Sequence, residues 1–141
     1  MGGFKAFGTL LKRGDGGAPE NFTTVGNVKD IDGPGMKGDF EDVTTHSSAA
    51  AGNFKEWMPT LMDGGNVKFD LLWDPNDVTH VGLQADQTGQ VKRNFQLVFP
   101  TAPVKTAAFA AYIDVFSFKA SVKGMIIRQL SLKVTGPVTF P

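Results

Sequence analysis

Glu41 to Gly65, EDVTTHSSAAAGNFKEWMPTLMDGG, gathers Glu41, Asp42, His46, Ser47, Ser48, Glu56 and Asp63 into one short run. These are the residue types of acid–base, nucleophilic and metal chemistry. A hydrolase would need nucleophile, base and orienting acid to converge from a strained turn or from several elements, and neighbours in sequence rarely do so. No G-x-S-x-G elbow surrounds Ser47 or Ser48, so Thr45, Ser47 and Ser48 read better as turn-capping hydroxyls. A metal centre built from Asp42, His46, Glu56 and Asp63 would need a second imidazole or a carboxylate cage. His46 and His80 are the two histidines, they lie in different elements, and no H-x-x-x-H, H-E-x-x-H or calcium-loop spacing occurs. His80, alone on a helix, reads as surface or partner-facing. The expectation is that this polar run makes contacts and is not an active site.

Other matches are weaker. Gly33 to Gly38, GPGMKG, fits G-x-G-x-x-G, but a proline sits inside it and DFEDVTT follows where a dinucleotide site needs a helix. A turn opening a long loop, Gly33 to Gly52, is the better reading. Basic residues are scattered and Lys+Arg balance Asp+Glu at 14 each, so no global field favours nucleic acid or membrane. With no cysteine the chain has no disulfide, zinc-thiolate or thiol chemistry. No apolar run is long enough to span a bilayer and the start lacks a signal peptide's pattern, so a soluble chain made in a cytoplasm is expected. No cofactor is expected.

These residues must be held by short strands. Period-two alternation marks Met125–Thr135, Val67–Trp73 and Val91–Phe99, and Arg128 breaks the apolar face of the first. Phe109–Phe118 is apolar on both faces, and weaker strands are expected at Phe4–Arg13 and Phe22–Ile31. Phe54, Trp57, Met58 and Leu61 recur at helical spacing, which predicts a short sheet-covering helix limited by Pro59. A second helix is predicted from about Asp77 to Thr88, with Val78, Val81 and Ala85 as its apolar stripe, capped by Asp74–Asp77 and stopped at Gly89. The fold class is mainly β: an antiparallel β-sandwich or half-barrel with one or two short flanking helices and a long loop, in a single domain over residues 1–141.

The order of these features carries a resemblance. A valine–glycine strand leads to Gly33-Pro34-Gly35, then comes Asp42-Val43-Thr44-Thr45 before a polar loop. The aromatic segment Phe54–Leu61, the Asp63-Gly64-Gly65 turn and the terminal run Lys133–Phe140 follow. From Val25 to Pro141 this resembles the major tail tube proteins of long, non-contractile-tailed bacteriophages. The resemblance implies no enzymatic activity but a structural virion protein. Six copies would form a ring, and rings would stack into the hollow conduit through which double-stranded DNA is ejected into the host. It implies a tape-measure protein, a tail terminator and baseplate or tip proteins as partners, a place in the virion tail after assembly in the host cytoplasm, and no membrane insertion. Many relatives carry an added immunoglobulin-like domain, which is not expected within 1–141. Related tubes occur in contractile tails and secretion systems, the alternative within the same fold; an enzyme using Asp42, His46, Glu56 and Asp63 is the alternative outside it. On this reading Asp39, Phe40, Glu41, Asp42, Val43, Thr44 and His46 form an inter-ring contact loop.

Overall fold

The computed structural model describes residues 3–46 and 52–140. Seven strands form one antiparallel sheet: β1 (Leu10–Gly14), β2 (Phe22–Thr24), β3 (Val28–Asp32), β6 (Asn66–Leu72), β7 (Arg93–Phe99), β8 (Lys105–Ala120) and β9 (Ile126–Thr139). Their spatial order is β2-β1-β7-β8-β9-β6-β3. Two further strands, β4 (Lys37–Asp42) and β5 (Trp57–Asp63), pair only with each other. One helix is described, α1 (Val78–Gly89).

Alternation places Val67, Phe69 and Leu71 of β6, Leu130, Leu132 and Val134 of β9, and Phe109, Ala111 and Ile113 of β8 on one buried face. Cross-strand register stacks them, Val67 opposite Leu132 and Leu132 opposite Ile113. Leu11, Phe95 and Leu97 extend this core, and the Phe95 and Phe109 rings lie 6.0 Å apart. The opposite face of β8 is not covered as its composition suggested. Tyr112, Asp114 and Val115 are exposed there, beside Ala108, Ala110 and the half-buried Ser117.

The sheet curls because its margins are tied. Residues 25–27 alone separate edge strand β2 from edge strand β3 on the far side, and three residues reach about 10 Å at most. The Val25 N–H donates to Leu11 O at 2.8 Å, and the Leu72 N–H donates to Asn27 O at 3.0 Å. Between them Gly26 meets the start of α1: its N–H donates to Thr79 Oγ1, and a Cβ there would come within 2.4 Å of Asp77 Oδ2. No ladder closes a barrel among the described residues; the edges are brought near each other and left unpaired.

The helix forms where the sequence predicts it. Asp77 caps it by accepting from the Thr79 N–H, and Gln90, left-handed at φ 53°, terminates it with its N–H directed to Asp86 O and Gln87 O. Its orientation differs from the expectation. Val78 and Val81 are 83% and 54% exposed, whereas His80, Leu83 and Asp86 face the sheet. Polar groups on the sheet decide the rotation. Arg13 and Arg93, in register with Leu11 and Phe95 on the core-facing side of β1 and β7, both donate to Asp86, from Nε at 2.5 and 3.1 Å. His80 is buried, not partner-facing. Its Nδ1 accepts from the Asp74 N–H at 3.1 Å, so Nε2 carries the proton and donates to Gly26 O at 2.6 Å.

Arg128 is also drawn under the helix. Its guanidinium lies 3.6 and 3.9 Å from the Phe116 and Phe118 ring centres and 5.6 Å from that of Trp73. It donates to Gln84 Oε1 at 3.2 Å, while its buried Nε has no partner among the described residues. Burial pushes the guanidinium below its ordinary pKa, yet an arginine stays charged, and the aromatic faces supply the compensating field.

Replacing Asp86 by alanine leaves two guanidinium groups facing one another without a counter-ion. Unfolding free energy in urea should fall by about 3 kcal/mol, and a loss under about 1 kcal/mol would show the pairing to be marginal. Asp77 gives a pH-dependent counterpart. The Thr79 hydroxyl and N–H hold its carboxyl below the usual aspartate value, so its contribution is complete above about pH 4 and fades as pH falls through the depressed value. Asp77→Ala should cost about 1 kcal/mol at pH 7, with the gap to the parent protein narrowing in urea titrations below pH 4.

Candidate functional site

The described part of the polar run Glu41–Gly65 belongs to an arm. β4 and β5 form an antiparallel ribbon, Lys37 opposite Asp63 at its base and Asp42 opposite Trp57 at its far end, with a bulge between Gly38 and Phe40. Asp39, Phe40, Glu41 and Asp42 stand on β4; Val43, Thr44 and His46 begin the connecting loop. The loop closes through the Val43 N–H to Glu56 O at 3.0 Å and the Glu56 N–H to Thr44 Oγ1 at 2.9 Å. Asp42 accepts from the Thr44 N–H at 2.9 Å. That threonine, by hydroxyl and amide, with Lys55 nearby, holds the Asp42 carboxyl below its usual pKa. Ser47 and Ser48 lie outside the described residues.

The predicted sheet-covering helix is corrected here. Trp57, Met58 and Leu61 belong to β5, every residue of which is exposed, and Phe54 precedes it in the loop, also exposed. Apolar side chains lie on both faces of the ribbon: the bulge puts Trp57 and Met62 on one, with Phe40, and Met58 on the other. Two such faces overlaid give the i, i+3, i+4, i+7 spacing that mimicked a helix. Pro59, opposite Phe40, is tolerated because β5 has one free side.

The four groups of the supposed metal or hydrolase site do not converge. Asp63 sits at the base and Asp42 at the far end, about 20 Å apart at strand rise. Among the described residues no three His, Cys, Asp or Glu side chains are grouped as a metal would need. Gly33–Gly38 leads from β3 directly into β4 and no helix follows it, so the loop expected to open there is a strand from Lys37 to Asp42.

The arm leaves the body through a tight crossing. Gly65, at φ 72°, would place a Cβ 2.3 Å from Gly35 O, and Gly33, at φ 105°, would place one 2.4 Å from Asn66 O. Gly64 lies against Val134, whose N–H donates to Gly65 O at 3.1 Å. The incoming and outgoing backbones touch directly, so the arm's direction is set where no side chain intervenes.

The second feature is the pair of free margins. β2 has three residues and β3 is interrupted by a bulge between Val28 and Ile31, both devices that limit uncontrolled edge pairing. Long exposed strands, unpaired margins and an unsupported two-stranded ribbon define an assembly subunit, since such a ribbon is marginal in water until it packs on something.

Comparison with known proteins agrees. The profile of the lambda phage tail tube protein family matches residues 9–140, and the chain belongs to that family. No curated protein sequence matches it. Solved structures share the fold at low identity. The tail of an empty gene transfer agent particle, refined with C6 symmetry, superposes with a TM-score of 0.75 at 16% identity, over 94% of this chain and 95% of that one. The SPP1 tail tube gives 0.69 at 12%, over 94% and 75%. A chain from the sheath/tube terminator of an extracellular contractile injection system gives 0.73 at 9%, over 100% and 98%. The protein is a structural tail tube subunit, placed in the virion tail.

The sequence missed the ribbon, the Asp86 pairing and the Arg128 cage. One signal was available: Arg13, Arg93 and Arg128 each fall two residues from a core position, at Leu11, Phe95 and Leu130, and so share its face. Gly65→Ala should leave thermal unfolding within a few degrees of the parent, if the strain is absorbed in the arm. It should also redirect the ribbon, seen as a raised protein concentration for polymer formation by light scattering. Unchanged polymerisation would show that the crossing does not aim the arm.

Proposed function

We propose that this chain is the tube subunit of a long non-contractile bacteriophage tail, forming six-membered rings that stack into the conduit for double-stranded DNA. The observation that carries the reading is the exposed β4–β5 arm, with Asp39, Phe40, Glu41, Asp42, Val43, Thr44 and His46 as the contact between successive rings. Within a ring, margin-to-margin addition of β2 and β3 supplies the joints, because main-chain hydrogen bonding is the unmet capacity of both. The margin contact closes and the arm contact does not, so one gives a ring and the other a filament.

The core-distal face of the sheet supports the conduit. It carries Asn94, Gln96, Tyr112, Thr135 and Gln129, with Lys68, Lys133 and Asp70 as spaced charges, a polar lining without a continuous basic track. Passing DNA needs such a surface, since many phosphate contacts summed along a tube would retain the duplex. A tape-measure protein, a terminator and tip proteins complete the assembly in the host cytoplasm, and the described residues act without a cofactor or catalysis.

Excision of residues 38–62, bridged by Gly-Ser-Gly, tests it. The crossing glycines already hold the two ends together, so the body should fold and negative-stain microscopy should show rings without rods. Rods as long as the parent's would refute the arm's role. A monodisperse monomer from the intact chain under all conditions would refute tube formation itself.

A further inference from the structure

The arm needs a receptor, and the molecule carries a surface matched to it at the opposite end. From Lys37 to Asp63 the chain has five carboxylates and two lysines, a net charge of −3. Since the whole chain is neutral, the rest carries +3. Part of that positive charge sits on the β8–β9 tip, where residues 117–127 contain Lys119 and Lys123 and no acidic residue. The tip is also apolar and exposed, through Phe118, Val122, Met125 and Ile126. The arm offers Phe40, Trp57, Met58 and Leu61 beside its acids.

The two surfaces stand at opposite ends of β9. The arm is rooted at Val134, whereas the tip begins at Ile126, eight residues and about 27 Å along β9. Complementary patches at opposite ends of a subunit join copies head to tail without closing, which is the geometry of stacking. The base of the tip is held in place. Phe118 lies on the Arg128 guanidinium and edge-on to Trp73 at 5.2 Å, and the Trp73 N–H donates to Ile126 O at 3.1 Å.

We propose that the β8–β9 tip, through Lys119 and Lys123 and the apolar residues between and beside them, is the docking site for the acidic β4–β5 arm of a second copy in the next ring. This rests on the arm being the joint between rings. Paired opposite charges steer the encounter and fix register, while the apolar contact supplies the hold.

Three full-length variants test the pairing. Lys119→Glu with Lys123→Glu, and separately Asp39→Lys with Glu41→Lys, should each raise the protein concentration needed for rod formation at least tenfold. Combining all four should bring it back to within about threefold of the parent. Circular dichroism and thermal unfolding matching the parent exclude a folding defect. The cysteine-free chain permits a second readout: Met58→Cys with Val122→Cys should give a disulfide-linked ladder on oxidation, and neither single variant should. Tip variants that assemble like the parent, or a four-fold variant that fails to recover together with no ladder, overturn the pairing. If the arm-excised chain still forms rods, the underlying reading of the arm fails. If excision stops rods while the tip variants form them normally, the arm stands as the joint and the tip is rejected as its receptor.

Discussion

Everything in the body follows from one short tether. Residues 25–27 carry the chain from one margin of the sheet to the other, and no flat sheet of seven strands accommodates a link of that length. The sheet has to wrap, and wrapping gives its apolar face an inside. The tether is itself held, by ladder-like hydrogen bonds at both ends and by Thr79 and His80 of the helix in the middle. A buried neutral imidazole bridging two backbone groups satisfies polar atoms that would otherwise be costly to enclose. The same contact makes helix docking and sheet curvature parts of one cooperative event.

The helix is then seated by charge as much as by oil. Leu83 is the hydrophobic residue that α1 buries fully. The remaining contacts are Asp86 between two arginines, Gln84 on Arg128, and the capping aspartate. Polar seating of this kind fixes the helix in one rotation, where a smooth apolar contact would permit several. The cost is that each group depends on its partner, so the seat is sensitive to single deletions in a way the aliphatic core is not. Outside this seat, Val78 and Val81 remain on the surface as apolar area the subunit leaves uncovered.

Much of the fold was legible because alternation survives in strands buried on one face. Val67–Trp73 and Met125–Thr135 were readable from period two, and the Asp77 cap from Asp-Pro-Asn-Asp. The arm was not, because its strands bury neither face within the subunit. Without an inside and an outside, Trp57, Met58 and Leu61 carry a misleading periodic message, one that fits a helix and not the exposed strand they form. The candidate contact residues were recognisable by type, yet their shared location on one ribbon, and its base-to-tip separation of Asp63 from Asp42, needed coordinates. Charge misled in a similar way. A chain neutral in total gives no hint that its negative excess is confined to the arm, and only topology reveals that the basic tip lies far from it. Phe22–Ile31 shows the same limit: one plausible strand in sequence is two short ones on opposite margins, divided at Gly26.

The glycine crossing at the arm's root has an evolutionary consequence. Because the entering and leaving chains meet backbone to backbone, the body demands glycine at 33, 64 and 65 and touches little of what lies beyond them. The appendage can therefore accept changes of length, charge and hydropathy that the packed sheet cannot.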